Sequence, residues 1–147
     1  MPPRRIALAA HIVHVVFSTK DRRKLIPTET QARTWAYMAR ICETEHFLPL
    51  EIGGMDDHCH ALIQIPAKMT LADAVQDLKA KSSLWLGRNF HWQRGYGAFS
   101  VSQSNVKAVI QYIRNQERHH KKMTFEEEFI ALLEKHGIPY DPKYVFD

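Results

Sequence analysis

Two histidines separated by one residue are the first feature of this sequence that could do chemistry. His58, Cys59 and His60 are followed by an aliphatic run, with a glycine pair upstream and Pro66 downstream. This pattern is typical of a short β-strand. Because side chains alternate along a strand, His58 and His60 share one face and Cys59 can enter a core on the other. The two imidazoles form half of a metal site, and another segment must supply the rest.

A segment far downstream offers further chemical groups. Hydrophobic side chains at positions 106, 109, 110 and 113 have helical spacing and predict the face that packs inward. Tyr112, Gln116 and His119 then lie together at one edge of that face. Each group also has a simpler interpretation. A phenol at such an edge can be mere packing, a helical glutamine can be solvated, and a strand can carry two histidines without a chemical role.

Taken together, these residues favour phosphoryl transfer. That chemistry needs a nucleophile in line with the phosphate and a divalent cation that polarises it. Tyr112 could be the nucleophile. The two histidines, joined by the side-chain oxygen of Gln116, could hold the cation and leave positions open for phosphate oxygens. Phenol has a pKa of about 10, so metal-bound phosphate or a base must help it ionise, and His119 is a candidate base.

The elements that must position these groups alternate between strands and helices. We predict strands at residues 8–18, 48–53, 58–65 and within 90–102, and helices at residues 28–46 and 70–86. Thr28 with Gln31 and Thr70 with Asp73 have the spacing of helix caps. A buried stripe is predicted on the second helix at Leu71, Val75, Leu78 and Trp85.

The order β-α-β-β-α-β predicts an α+β fold, a ferredoxin-like βαββαβ antiparallel sheet with two extra C-terminal helices. The first extra helix begins at Ser102 or Ser104 and runs to about Lys121. The second begins at a capping box of Thr124 and Glu127 and ends near residues 137–139. We expect one domain over residues 1–147, with its core at about 8–102 and the catalytic and terminal helices at about 104–136.

Composition describes an ordinary globular chain of 147 residues, 45% hydrophobic and 24% charged. A formal net charge of +4 permits a polyanionic partner without requiring one. Cys42 and Cys59 fall inside a predicted helix and strand, so they do not indicate a disulfide framework. No apolar run is long enough for a membrane helix, and the start of the chain lacks the apolar region of a signal peptide. We therefore expect a cytoplasmic protein without a membrane partner.

Three motifs occur in a specific order: the histidine pair at 58 and 60, a glycine-tyrosine-glycine segment within residues 92–102, and Tyr112 followed four residues later by Gln116. Residues 14–20, 125–129 and 136–138 add to the pattern. With these motifs the sequence resembles the single-tyrosine HUH transposases of bacterial insertion sequences and their domesticated relatives, the REP-associated tyrosine transposases. A histidine pair alone is a weak signal, but the three motifs together are specific.

The resemblance implies that the tyrosine attacks a phosphodiester in single-stranded DNA near a hairpin, forms a 5′-phosphotyrosine bond and frees a 3′-hydroxyl. Tyr112 takes the nucleophile role, His58 and His60 the ligand roles, and Gln116 that of the third ligand. A homodimer with composite active sites is implied as well. Ligand softness alone would suit zinc or nickel, whereas the resemblance implies Mg²⁺ or Mn²⁺. Cys59 replaces the bulkier aliphatic residue that is commonest between the histidines.

Basic and aromatic residues outside these motifs are candidates for the DNA surface. Each could instead belong to an ordinary solvated face or to the core. The DNA-binding candidates are Lys20, Arg22, Arg23, Lys79, Lys81, Trp92 and Arg114.

Two other function classes remain open from the sequence. The βαββαβ sheet also occurs in domains that bind RNA or DNA without catalysis and read bases through aromatic side chains on the sheet. The histidines could also belong to a structural zinc site, in which case chelation would unfold the protein.

Overall fold

Four strands and five α-helices make up the part of the chain that the structure, a computed structural model, describes, which is residues 11–147. The elements in chain order are β1 (Ile12–Ser18), α1 (Thr28–Thr44), β2 (Leu48–Met55), β3 (His58–Gln64), α2 (Leu71–Leu86), β4 (Gly97–Ser100), α3 (Val106–Arg114), α4 (Gln116–His119) and α5 (Phe125–Lys135). The predicted α+β class and βαββαβ order are confirmed. The first strand was predicted from residue 8, but residues 8–10 lie outside the described part.

The four strands form one antiparallel sheet in the order β2-β3-β1-β4. The histidine strand β3 is therefore central and pairs with β1 on one side and β2 on the other. Val16 lies opposite His60 in the β1–β3 register, and His14 lies opposite Leu62. The tight turn at Asp56 and Asp57 joins β2 to β3 as the predicted hairpin.

The two faces of the sheet bury different sets of side chains. One face packs against α1 and α2 and forms an apolar cluster from alternate strand residues and both helices. Cys59 is fully buried in this cluster, as its position between the histidines predicted. The members that lie on β1 and β3 are Val13, Val15, Phe17, Cys59, Ala61 and Ile63.

The opposite face carries the histidines and is covered by the C-terminal helices. Phe125, Phe129, Leu132 and Leu133 of α5 pack on this face near Val16. On α3, the side chain of Ile113 packs against Gly53 of β2, where an added Cβ would lie 2.8 Å from Cγ2 of Ile113. The absence of a side chain at residue 53 thus lets α3 lie directly on the sheet.

Helix starts follow the sequence at two of three predicted caps. Thr70 accepts a hydrogen bond from the backbone N–H of Asp73 at 3.1 Å, and Thr124 forms the complete capping box with Glu127. The prediction that Thr28 caps α1 is wrong. Pro27 occupies the cap position with extended backbone angles, and its fixed φ suits the entry to a helix, so Thr28 is already helical.

The predicted long helix after β4 is wrong as a single element. Residues 103–105 form a 3₁₀ turn, and Asn115, with φ −92° and ψ 18°, separates α3 from α4. These angles lie in the bridge region, which a residue inside a regular α-helix does not adopt. Gln116 is buried immediately after this break.

Trp85 also departs from its prediction. It was placed in the buried stripe of α2, but 37% of it is exposed and it stacks on Tyr37 of α1, with ring centroids 4.4 Å apart. The rest of the predicted stripe is confirmed, since Val75 and Leu78 are buried and Leu71 is partly buried, and the buried face also includes Ala74 and Ser82. Within residues 11–147, no helix has the length and hydrophobicity needed to cross a bilayer.

Candidate active site

The two histidines of β3 are held by a partner at each Nδ1 atom. His58 Nδ1 donates to Asp57 Oδ1 at 2.7 Å, and His60 Nδ1 lies 2.8 Å from Nε2 of His14. Both imidazoles are fully buried, and both Nε2 atoms point toward the C-terminal helices. Such partners fix the tautomer and orientation of an imidazole and are typical of histidines that bind metals.

The predicted partners on the helices reach the same place within one chain. Gln116 Oε1 lies 2.8 Å from Nε2 of His58. The ring of Tyr112 lies edge-on to that of His60, with centroids 5.7 Å apart. The structure therefore brings Tyr112, His58, His60 and Gln116 together without a second subunit.

Glu128 on α5 lies at the centre of this group, and sequence reasoning did not identify it. Its Oε1 atom lies 3.2 Å from Nε2 of His60 and 2.9 Å from Nε2 of His120. Its Oε2 atom accepts hydrogen bonds from the Tyr112 hydroxyl and from Gln116 Nε2, the latter at 3.0 Å. Only 1% of Glu128 is exposed. The partners of its carboxylate are therefore these side chains and not bulk water.

A signal for Glu128 does exist in the sequence. Phe125, Phe129 and Leu132 define the apolar stripe of the last helix, and position 128 lies within that stripe. An acidic residue on a buried helix face is costly unless it is paired or binds a metal ion, and therefore indicates a functional or structural partner. Three consecutive glutamates at 126–128 obscure the pattern, because such a run usually lies at the surface.

The electrostatics of the site depend on this buried carboxylate. Burial alone would raise the pKa of Glu128, but hydrogen bonds with His120 and His60 outweigh burial and hold that pKa well below its usual range. Burial, together with the charge of Glu128, raises the pKa of the Tyr112 phenol above its ordinary value. The phenol is thus neutral in the absence of a cation, and a positive charge beside the carboxylate would make its ionisation easier.

The pKa values of the histidines around the carboxylate are shifted in different directions. Burial lowers the pKa of His60, and burial with the nearby His60 charge lowers that of His14. Burial opposes protonation of His120, but its hydrogen bond to Glu128 and the carboxylate charge raise its pKa overall. The candidate base His119 has its Nε2 atom 3.5 Å from the Tyr112 hydroxyl, farther than the carboxylate of Glu128.

The donor set fits a divalent cation. An Asp57 carboxylate can only accept, so the Nδ1 atom of His58 carries a proton, and in the neutral imidazole Nε2 then carries a lone pair. Gln116 donates its amide N–H to Glu128, which turns its Oε1, also an acceptor, toward that lone pair. Two acceptor atoms 2.8 Å apart, such as Nε2 of His58 and Oε1 of Gln116, repel each other unless they share a proton or bind the same metal ion. Among residues 11–147, the convergent sets of potential ligands are His58–His60–Glu128 and His119–His120–Glu128.

Four basic DNA-binding candidates are engaged with acidic or backbone groups. Arg22 Nη1 donates to the Phe146 carbonyl, and its Nε lies 3.7 Å from Glu126. Lys81 pairs with Glu45 on the α1 side, and Arg114 pairs with Glu51 of β2. Arg23 lies 3.9 Å from Asp21, while Lys20 is exposed. Exposed pairs of this kind are weak and can exchange for a phosphate contact, so these five roles stay predictions.

Two further candidates have structural contacts. Lys79 Nζ lies within hydrogen-bond distance of three consecutive carbonyls, those of Gln93, Arg94 and Gly95, at 2.6, 3.1 and 3.3 Å. Trp92 packs edge-on against Phe17 and donates its indole N–H to Ser82. These side chains support the loop before β4, and their DNA roles remain untested.

Comparison with known proteins gives a consistent picture. The model of a family described as transposase IS200 like matches residues 7–116. The transposases for insertion sequence element IS200 from Salmonella typhimurium and Salmonella typhi are each 32% identical to this chain over 114 residues, which cover 70% of this chain and 74% of each relative.

Two solved structures share the fold. A candidate transposase from Deinococcus radiodurans R1 has a TM-score of 0.63 at 20% identity and covers 79% of this chain and 98% of its own. A REP-associated tyrosine transposase bound to a REP hairpin has a TM-score of 0.62 at 13% identity, and covers 82% of this chain and 74% of its own.

Proposed function

The chain belongs to the family of IS200-like transposases, and from that premise we propose that it cuts and rejoins single-stranded DNA beside hairpins through a phosphotyrosine intermediate. The observation that carries the proposal is the convergence of the partly buried Tyr112 with the fully buried His58 and His60. A hydroxyl nucleophile next to a set of metal-type ligands is the arrangement that phosphodiester cleavage needs.

The proposed reaction is an exchange of one phosphoester bond for another. The phenol oxygen of Tyr112 bonds to the phosphorus, and the bond from phosphorus to the 3′ oxygen of the preceding nucleotide breaks. The phenol loses a proton, and the departing 3′ oxygen takes one up as a hydroxyl. Rejoining is the reverse of these steps. The number of phosphoester bonds is the same before and after the exchange. This balance lets the enzyme join strands without an external energy source.

We assign the metal-ligand roles to His58, His60 and Gln116. A bound Mg²⁺ or Mn²⁺ would polarise the phosphate and stabilise the charge that develops on it. Asp57 and His14 orient the two imidazoles from the opposite ring nitrogens. Glu128 holds the Tyr112 hydroxyl beside the histidines, which limits the orientations from which the phenol can attack.

Hairpin DNA is the substrate class that the comparisons favour, since one neighbour of the same fold is bound to a REP hairpin. The exposed basic residues Lys20 and Arg23 follow β1 and are candidates for contacts with the DNA backbone. A homodimer remains part of the proposal, but we place Tyr112 in its own subunit's site, because its ring lies beside that of His60 of the same chain.

A non-catalytic nucleic-acid-binding module is less well supported. Domains that read RNA on a βαββαβ sheet leave one sheet face open and place aromatic residues there. Here the face with His58 and His60 is covered by α3 and α5, and Phe99, a phenylalanine of the sheet on that face, is buried against α5. A sheet face that is covered by helices cannot offer an open surface for stacking bases, but it can enclose a small set of reacting groups.

The test is covalent trapping of DNA. The wild-type protein, incubated with hairpin-bearing single strands and Mn²⁺, should yield a protein–DNA adduct that survives denaturing electrophoresis. Tyr112→Phe should abolish the adduct, while Tyr96→Phe, a change at an exposed tyrosine outside the site, should keep it. An adduct of normal yield in Tyr112→Phe, or its loss only in Tyr96→Phe, would assign the nucleophile elsewhere.

A further inference from the structure

The position of Glu128 raises a question that the three-ligand site leaves unanswered. A carboxylate with 1% exposure needs a cation, because the cost of removing a charge from water exceeds what neutral hydrogen bonds return. Within residues 11–147, no lysine or arginine lies at ion-pair distance from it, and its contacts are imidazoles, the Tyr112 phenol and the Gln116 amide.

We propose that Glu128 is a fourth protein ligand of the catalytic metal ion and holds Tyr112 against that ion through its second oxygen. The inference rests on the proposed function, since it concerns the same cation. It adds a ligand from α5, an element that lies beyond residues 7–116 and therefore outside the match to the family model.

The spacing of the donor atoms supports this role. Metal–ligand bonds of about 2.1 Å place neighbouring ligand atoms about 3.0–3.4 Å apart. Glu128 Oε1 lies 3.2 Å from Nε2 of His60 and 3.5 Å from Nε2 of His58. Gln116 Oε1 completes the set at 2.8 Å from Nε2 of His58. The 3.2 Å separation lies inside this range, and the other two lie within about 0.2 Å of it. The ligand atoms of His58, His60 and Glu128 lie within 4.8 Å of one another, close enough for one ion to bind all three.

The carboxylate divides its two oxygens between two tasks. Oε1 faces the histidines, whereas Oε2 accepts from the Tyr112 hydroxyl and the Gln116 amide. A ligand bound through Oε1 would keep Oε2 free for the phenol. Glu128 thereby links the position of the nucleophile to that of the metal ion through the two carbon–oxygen bonds of one carboxylate.

His120 provides the competing explanation for the buried charge. Its Nδ1 donates to the Met123 carbonyl at 2.8 Å, and its Nε2 lies 2.9 Å from Glu128 Oε1. A protonated His120 would neutralise the carboxylate as a simple ion pair. A carboxylate oxygen has two lone pairs, however, so His120 can support Glu128 from outside the coordination sphere while the second lone pair faces the ion.

Mn²⁺ binding by the full chain separates the two roles. We would titrate Mn²⁺ into wild type, Glu128→Gln, Glu126→Gln and His60→Ala, and follow the signal of free Mn²⁺ by electron paramagnetic resonance. Glu126 is the matched control because it lies on the same helix and its side chain is 53% exposed. A ligand role predicts an Mn²⁺ affinity at least about 100-fold weaker in Glu128→Gln and unchanged in Glu126→Gln. Loss of a group that only supports a ligand weakens metal binding about 10- to 100-fold, so the expected change is at or above the upper end of that range.

The outcomes distinguish this inference from the proposed function. Wild-type affinity in Glu128→Gln, with binding lost in His60→Ala, would overturn the ligand role of Glu128 and leave the histidine site intact. Absence of Mn²⁺ binding in wild type would overturn both. If Glu128→Gln does not fold, the infrared carboxylate bands of wild-type protein with ¹³C-labelled glutamate decide the question. A shift of one labelled band at one equivalent of Mn²⁺ supports coordination, and unchanged bands contradict it.

Discussion

Tyr112 donates its hydroxyl hydrogen to Glu128, a carboxylate on the next long helix and 16 residues away. This bond joins α3 to α5 directly above the histidine strand. Both partners are largely withdrawn from water, so the phenol occupies a defined position before any DNA is bound. The arrangement has consequences for stability, for metal binding and for the subunit in which the reaction occurs.

Removing the phenol hydroxyl should weaken the folded state. Tyr112→Phe deletes a charge-assisted hydrogen bond to a buried acceptor, so we expect a loss of about 1.5–3 kcal/mol in the free energy of unfolding. Urea denaturation measures it, with Tyr96→Phe expected to stay within about 0.5 kcal/mol of wild type. Equal stability of wild type and Tyr112→Phe would argue against this hydrogen bond in solution.

The close contact between α3 and β2 should make one glycine indispensable. In Gly53→Ala the new Cβ meets Cγ2 and the carbonyl oxygen of Ile113, at 2.8 and 3.2 Å. We expect a loss of about 1–3 kcal/mol and a lower adduct yield, because α3 must move and Tyr112 with it. Gly95→Ala is the control, since a Cβ there meets no atom within 4 Å. Similar effects of the two changes would contradict the packing argument.

The supporting histidine on β1 should affect metal affinity more than folding. His14→Leu puts an apolar side chain of comparable size at this buried position but removes the partner of His60 Nδ1. Loss of such a partner typically weakens metal binding about 10- to 100-fold. Mn²⁺ titration measures the change, and His11→Leu, at an exposed position, should bind as wild type does. An unchanged affinity in His14→Leu would show that His60 is oriented by its packing alone.

Mixing two inactive variants tests whether each chain supplies its own tyrosine. His60→Ala lacks a ligand and Tyr112→Phe lacks the nucleophile, so a composite site between subunits would recover activity in a mixed dimer. We expect no adduct from the equimolar mixture after subunit exchange, because the phenol of Tyr112 reaches the histidines of its own chain. Recovery toward a quarter of the wild-type yield would place the tyrosine in the partner subunit, because half of the dimers would be mixed and each would have one intact site of two.

Chelation should leave the protein folded. The apolar clusters on both faces of the sheet are formed by side chains outside the ligand set. With EDTA present, far-ultraviolet circular dichroism should keep its wild-type shape, while the melting temperature falls only by the contribution of metal binding. Cooperative unfolding on chelation at 25 °C would instead identify a structural zinc site.

Periodicity in the sequence was sufficient to place much of the site. The alternation of a strand put His58 and His60 on one face and Cys59 on the other, and helical spacing put Tyr112 near Gln116. The break at Asn115 was not predictable in this way, because the helical pattern continues across it. Burial of Trp85 was overestimated, since its spacing fits the stripe while the rotation of α2 against the sheet excludes it.

Glu128 illustrates a limit of another kind. Its position in the apolar stripe of α5 can be inferred locally, but its partners lie on three other elements and up to 68 positions earlier in the chain. The rotation of α5 on the sheet, which the phenylalanines set, decides whether the carboxylate reaches the histidines. A relationship of this type depends on tertiary packing and not on local spacing.

The number of residues between the two histidines of β3 decides whether their side chains lie on the same face of the sheet. Any residue that fits an apolar layer can stand between the two imidazoles, because that position faces away from the reacting groups. Adding one residue between them, by contrast, would place one imidazole on the sheet face that packs against α1 and α2, while the other imidazole stays on the opposite face. Replacement of the residue between the histidines by another that fits the apolar layer is therefore compatible with the site, whereas a change in the number of residues between them would separate the two imidazoles.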